Sequence, residues 1–184
     1  MAQNPHVLFL LTGSIACYKA CTAISRLAQA GVTVQTVATP SALQFVGAAT
    51  LEGLSGRPVF TDVFAPGRAL DHIELARAAD LALVCPATAN TLNRLAAGIA
   101  DDAVGTLFLA WELKTKPWVV APAMNAMMWE HPATAASLGR LRGWGVRVIE
   151  PAEGMHACGE AGAGRLPEPE SIATQVLAML GHTA

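Results

Sequence analysis

Strand and helix patterns alternate along this chain, and that alternation leaves few folds open. His6–Leu11 reads as a first buried strand, residues 32–38 as a second, 81–85 as a third, 118–121 as a fourth and 146–149 as a fifth. Each is a nearly unbroken apolar run, as expected of strands covered on both faces. Helical faces fall between them. Ala20, Ala23, Ile24 and Leu27 share one face, with Ser14 placed to cap that helix and Gly31 to end it. A helix is predicted from about Ala42, another through Leu92 and Leu95, and a last one with Ile172, Val176, Met179 and Leu180 on one side. Such an order predicts a parallel sheet with helices on both faces, a three-layer αβα arrangement. Residues 153–168 break the pattern. Gly154, Gly159, Gly162 and Gly164 stand there without periodicity, which predicts a long mobile loop.

With 184 residues the chain holds one α/β domain and is too short for two. Hydrophobic residues make up 53% and charged residues only 14%, so either the core is large or other subunits cover part of the surface. No apolar run is long enough to span a membrane, and residues 7–11 are too short for a signal peptide, which leaves the cytoplasm as the expected location. Cys17, Cys21, Cys85 and Cys158 form no CxxC pair and no zinc-like set with histidines, so free thiols and no metal are expected. A formal net charge of −2 without a basic cluster gives no footprint for nucleic acid.

Chemistry-bearing residues gather after the strands. Pro122-Ala123-Met124-Asn125-Ala126-Met127-Met128-Trp129 follows the fourth apolar run, at the strand end where open α/β sheets bind ligands. An amide in such apolar company needs a partner, and Asn125 is suited either to holding a turn or to holding a substrate group. Three other strand ends carry small or hydroxyl residues ahead of a helix: Gly13-Ser14-Ile15, Thr39 with Ser41, and Thr88-Ala89-Asn90-Thr91. Taken singly these are ordinary caps; together on one edge they favour a mononucleotide phosphate. A dinucleotide fits less well because the first turn lacks GxGxxG. Asp71-His72-Ile73-Glu74 reads as a capping box that puts His72 in the first turn of a helix, either as a solvated residue or as a base. Cys158, read alone, is an unremarkable thiol.

Pro122, Met124, Asn125, Met128 and Trp129 match the PxMNxxMW motif, and on it the chain resembles the flavin-containing cysteine decarboxylases. Two further segments agree. His72 lies in a His-Ile-Glu-Leu run like that family's active-site histidine segment, and residues 157–165 resemble its ACGxxGxGRM substrate clamp, with Leu166 in place of Met. The resemblance runs from Val7 to about Val176. It implies a Rossmann-like (flavodoxin-like) fold and FMN as cofactor, held by Gly13, Ser14, Ile15, Thr39, Ser41, Thr88, Ala89, Asn90 and Thr91, with Phe45 near the flavin. It further implies His72, Asn125 and Cys158 as catalytic residues, and substrate contacts from Arg77, Ala123, Met124 and Asn125. Ala76 stands where the plant-type members have a second arginine.

Members of that family act on 4'-phosphopantothenoylcysteine in coenzyme A biosynthesis or on peptidyl-cysteines in lanthipeptide maturation. The full clamp with Cys158 points to the former. The implied course is oxidation of the substrate thiol to a thioaldehyde, loss of CO2, and reduction of the resulting ene-thiol with Cys158 giving a proton, His72 taking the thiol proton and Asn125 holding the carboxylate. A peptide-acting enzyme would stop at the aminoenethiol. A non-catalytic flavin-binding partner is the alternative from another class, disfavoured by the presence of His72, Asn125 and Cys158. The resemblance also implies a homotrimer with the flavin at a subunit boundary, assembled into a dodecamer in some members, and a clamp over residues 153–168 within one domain spanning residues 1–184.

Overall fold

The computed structural model describes residues 4–155, 159 and 161–181. Five strands, β1 (His6–Leu11), β2 (Thr33–Ala38), β3 (Leu81–Ala87), β4 (Trp118–Pro122) and β5 (Arg147–Val148), form one parallel sheet in the order β2-β1-β3-β4-β5. That is the doubly wound order whose direction reverses beside β1, so a crevice opens beyond the carboxyl ends of β1 and β3. The continuous apolar runs have a direct cause in this sheet. Val7, Phe9 and Leu11 enter one core and Leu8 and Leu10 the other, so every β1 side chain after His6 is buried.

The first core is closed by α1 (Cys17–Gln29), α2 (Ala48–Ser55) and α8 (Pro169–Met179). On the opposite face lie α3 (Asp71–Ala78), α4 (Ala89–Ala96), α5 (Ala103–Leu109) and α7 (Pro132–Gly143), with the short α6 (Ala126–Glu130) leading into α7. Trp118 anchors this second core. It is fully buried and meets Phe108 at 5.0 Å and Trp111 at 5.6 Å between ring centroids, both edge to face. No helix among the described residues is long and apolar enough to cross a membrane.

Several local expectations are corrected. Ser14 does not cap α1, which starts three residues later behind Ala16; the Ser14 hydroxyl instead accepts from the Ala16 N–H at 3.2 Å. The turn after β2 holds a single 3-10 turn, Ala42–Gln44, and the α-helix begins only at Ala48. Asp71 and Glu74 form no capping box, because α3 begins at Asp71 itself and the Asp71 carboxylate is drawn 2.6 Å from the Arg68 guanidinium. His72 still falls in the first turn. Where a loop was expected over residues 153–168, β6 (Ala152–Met155) pairs antiparallel with β7 (Ala161–Arg165). Glycine and alanine fill this hairpin, so it lacks the apolar alternation by which strands are recognised.

The junction between α3 and β3 is tied to the start of the sheet. The His6 N–H donates to Asp80 Oδ2 at 2.8 Å, and the imidazole Nδ1 lies 3.2 Å from the Ala78 carbonyl oxygen. Burial there holds the His6 imidazole below its ordinary value of 6.5.

Candidate functional site

The strand ends are stitched together by a residue that the sequence reading passed over. Thr12, buried at the end of β1, donates its hydroxyl to the Pro86 carbonyl at 2.6 Å, and accepts the Thr88 N–H at 3.1 Å. Thr88 in turn caps α4 by accepting the Thr91 N–H at 3.3 Å, with its hydroxyl 3.1 Å from that of Thr91. On the other side Thr39 accepts the Ala42 N–H at 3.1 Å and contacts the Ser41 hydroxyl at 3.1 Å. Gly13 lets the turns after β1 and β2 touch. A Cβ at Gly13 would stand 2.7 Å from Ser41 Cβ, closer than packed carbons approach. The hydroxyls of Ser14, Ser41, Thr88 and Thr91 therefore collect at one edge of the sheet. Ala89 and Asn90 open α4, where main-chain N–H groups have no partner within the helix. Phe45 lies nearby in chain order and is exposed.

Asn125 settles beyond the end of β4. Ala123 donates its N–H to the Ala87 carbonyl at 3.1 Å, which fixes the chain across the sheet edge, and Asn125 then caps α6 with Oδ1 accepting the Met128 N–H at 2.9 Å. The turn reading of this asparagine is thus realised, while Nδ2 has no partner among the described residues. The hairpin is joined to the same segment. The Met124 N–H donates to the Gly164 carbonyl at 3.0 Å; Gly164 has φ +113° and a Cβ there would come within 2.5 Å of the Met124 oxygen.

Between the hairpin, the start of α1 and the end of β4 opens a cleft of about 260 Å³, lined among others by Ser14, Ile15, Lys19, Met124, Asn125 and Arg165. Ala123 also lines it. Asn125 borders a second cleft of about 370 Å³ with Ala89, Met127 and His131. His131, for which the sequence offered no role, caps α7 by accepting the Ala133 N–H at 3.1 Å.

His72 and Arg77 are elsewhere. They share a cleft of about 540 Å³ with Thr106, Leu109 and Glu112, between α3 and α5, and the chain by itself does not bring them into a cleft with Asn125. The Nδ1 of His72 is buried without a partner among the described residues. Ala76, which stands where the plant-type members have a second arginine, is buried in the second core. Lys116 closes the C-terminal end of α3, donating to the carbonyls of Arg77 at 2.7 Å and Ala76 at 3.1 Å. Cys158 lies outside the described residues. The remaining thiols are free; that of Cys85 is fully enclosed and pushed far up by burial, so it is inert as a nucleophile.

Comparison with known proteins finds relatives of the same fold. The chain is 49% identical over 168 residues to the coenzyme A biosynthesis bifunctional protein CoaBC of Mycobacterium tuberculosis, covering 91% of this chain and 40% of that protein. The chain therefore spans about two fifths of that relative's length. Among solved structures, a mutant PPC decarboxylase complexed with pantothenoylaminoethenethiol superimposes with a TM-score of 0.87 at 32% identity, over 97% of this chain and all of that one. The FMN binding protein AtHal3 gives 0.84 at 31% identity, over 99% of this chain and 100% of its own. The family model described as Flavoprotein matches residues 1–181. With that match across nearly its whole length, and with the sheet order and strand-end architecture described above, the chain belongs to the flavoprotein family.

Proposed function

We propose that this chain is an FMN-dependent decarboxylase converting 4'-phosphopantothenoylcysteine to 4'-phosphopantetheine in coenzyme A biosynthesis. The observation that carries the reading is the joint between Met124 and Gly164, which seats a hairpin directly over the PxMNxxMW segment and leaves Asn125 facing the cleft between them. The likeness to PPC decarboxylase and to CoaBC supports the same substrate.

The strand-end cradle suits a flavin mononucleotide. Gly13 keeps the turn after β1 open to a phosphate, and the hydroxyls of Ser14, Thr39, Ser41, Thr88 and Thr91, with the first-turn amides of Ala89 and Asn90, offer donors without a cationic side chain. Ile15 and Phe45 are exposed apolar surfaces suited to the ring system. When bound there, FMN supplies the two-electron oxidant that makes the substrate's Cα carboxylate labile.

The protein residues position and move protons. Asn125 Nδ2 donates to the substrate carboxylate; a neutral amide orients that group without the ground-state stabilisation that a lysine would give. His72 takes up the thiol proton, and Cys158 returns a proton to the decarboxylated product. The hairpin and its flanks, residues 153–168, close over the substrate within a single domain. His72 reaches Asn125 from a neighbouring copy in a homotrimer, a reading supported by their separate clefts within one chain and by the exposed Tyr18, Leu109 and Met127 beside those clefts. The protein works in the cytoplasm, on a small molecule, without nucleic acid or membrane.

Purified protein loaded with FMN is expected to be yellow, to release CO2 anaerobically from 4'-phosphopantothenoylcysteine, and to be yellow again once substrate is consumed, because the ene-thiol takes back the two electrons. Cys158→Ser should release CO2 and leave its product unreduced. Protein that retains no flavin, or that releases no CO2 from this substrate, would overturn the proposal.

A further inference from the structure

The cleft that holds Asn125 also has a cationic stretch of wall. Among the described residues lining it, Lys19 and Arg165 are the charged ones, and both are cationic. Lys19 projects from α1, its side chain only 13% exposed, and donates to Glu168 Oε1 at 3.0 Å; Arg165, at the end of β7, bonds the same oxygen through Nη2. Two cations thus share a single carboxylate oxygen, and Glu168 itself is solvent-exposed and does not line the cleft. Among the described residues, two cations there face one carboxylate. A largely enclosed ammonium is costly unless anionic oxygens satisfy its donors, and a guanidinium fork suits a tetrahedral oxyanion.

Resting on the decarboxylase reading, we infer that Lys19 and Arg165 form the subsite that recognises the phosphate of the substrate. Phosphopantothenoylcysteine carries its two anionic groups at opposite ends. The cysteine carboxylate meets a neutral amide at Asn125, and the phosphate, near two negative charges at pH 7, meets the cationic wall. The body between them crosses Tyr18 and Met155, which are aromatic or apolar and exposed in the free chain. Glu168 holds both cations in place before the phosphate arrives. Recognition of a phosphorylated small molecule, rather than of a peptide, is then built into α1 and β7.

Calorimetric titration of the FMN-loaded protein with 4'-phosphopantetheine and with pantetheine reads the subsite directly. The wild type should bind the phosphorylated ligand about tenfold more tightly, as one charged hydrogen-bonded contact provides. Lys19→Gln and Arg165→Gln should each bring that ratio toward one, and Lys19→Arg should restore most of it. Damage to the fold would weaken both ligands together and leave the ratio standing, which overturns the inference, as does a wild type without preference or without binding. Turnover of phosphopantothenoylcysteine by the wild type is followed in parallel. Its absence beside an intact phosphate preference sinks the decarboxylase reading alone; its presence with no preference sinks the subsite alone.

Discussion

The Oδ1 of Asn125 is committed to the α6 cap, whereas the proposed carboxylate contact uses Nδ2, so substitution separates the two. Asn125→Asp keeps a capping oxygen and is expected to hold stability within about 0.5 kcal/mol, while placing like charges together and lowering turnover about 100-fold or more. Asn125→Ala should lose both, at about 1 kcal/mol of stability by urea unfolding. Equal turnover in the Asp variant and the wild type would remove Asn125 from substrate binding. Gly13→Ala tests the cradle in the same way. Its Cβ would press on Ser41, and the expected cost is about 1–3 kcal/mol together with loss of flavin on gel filtration. Retention of flavin at wild-type stability would show that the turns after β1 and β2 need not touch.

At the scale of elements, the hairpin and the β1 entry have separable stabilities. Gly164→Ala forces a side chain into the Met124 carbonyl at a left-handed φ, so the hairpin should detach from the PxMNxxMW segment. Faster proteolysis within residues 152–165, at a melting temperature close to wild type, is the expected signature; unchanged cleavage would contradict it. His6 sets a pH dependence at the other end of the sheet. Because its folded value lies below 6.5, the unfolded chain binds the proton first, so stability is present above 6.5 and falls as pH drops through that value toward the folded one. Urea midpoints across about pH 5 to 8 should show this slope in the wild type and a flatter line in His6→Gln. The five strands were legible because burial on both faces writes an unbroken apolar run. Helices α5, α6 and α7 were not, because α5 and α6 span only seven and five residues and α7 carries few large apolar side chains, and the α1 start was misplaced because Ser14 bonds its own turn rather than the helix.

For the whole molecule, His72 and Asn125 were legible as motifs but not as neighbours, since one chain places them in different clefts and no sequence pattern records which copy completes a site. Thr12 left no signal at all beyond its place before Gly13. If the catalytic groups meet across a subunit boundary, co-expressed His72→Asn and Asn125→Asp chains should assemble with about a quarter of the wild-type sites intact, as random pairing in a cyclic oligomer gives. No recovered turnover would place both groups in one chain. The decarboxylase proposal meets its most direct test in the mass of the product formed anaerobically from 4'-phosphopantothenoylcysteine. A product lighter than the substrate by CO2 alone is predicted, because the ene-thiol is reduced before release; a product lighter by CO2 and two further hydrogens, or an unchanged substrate, would contradict it.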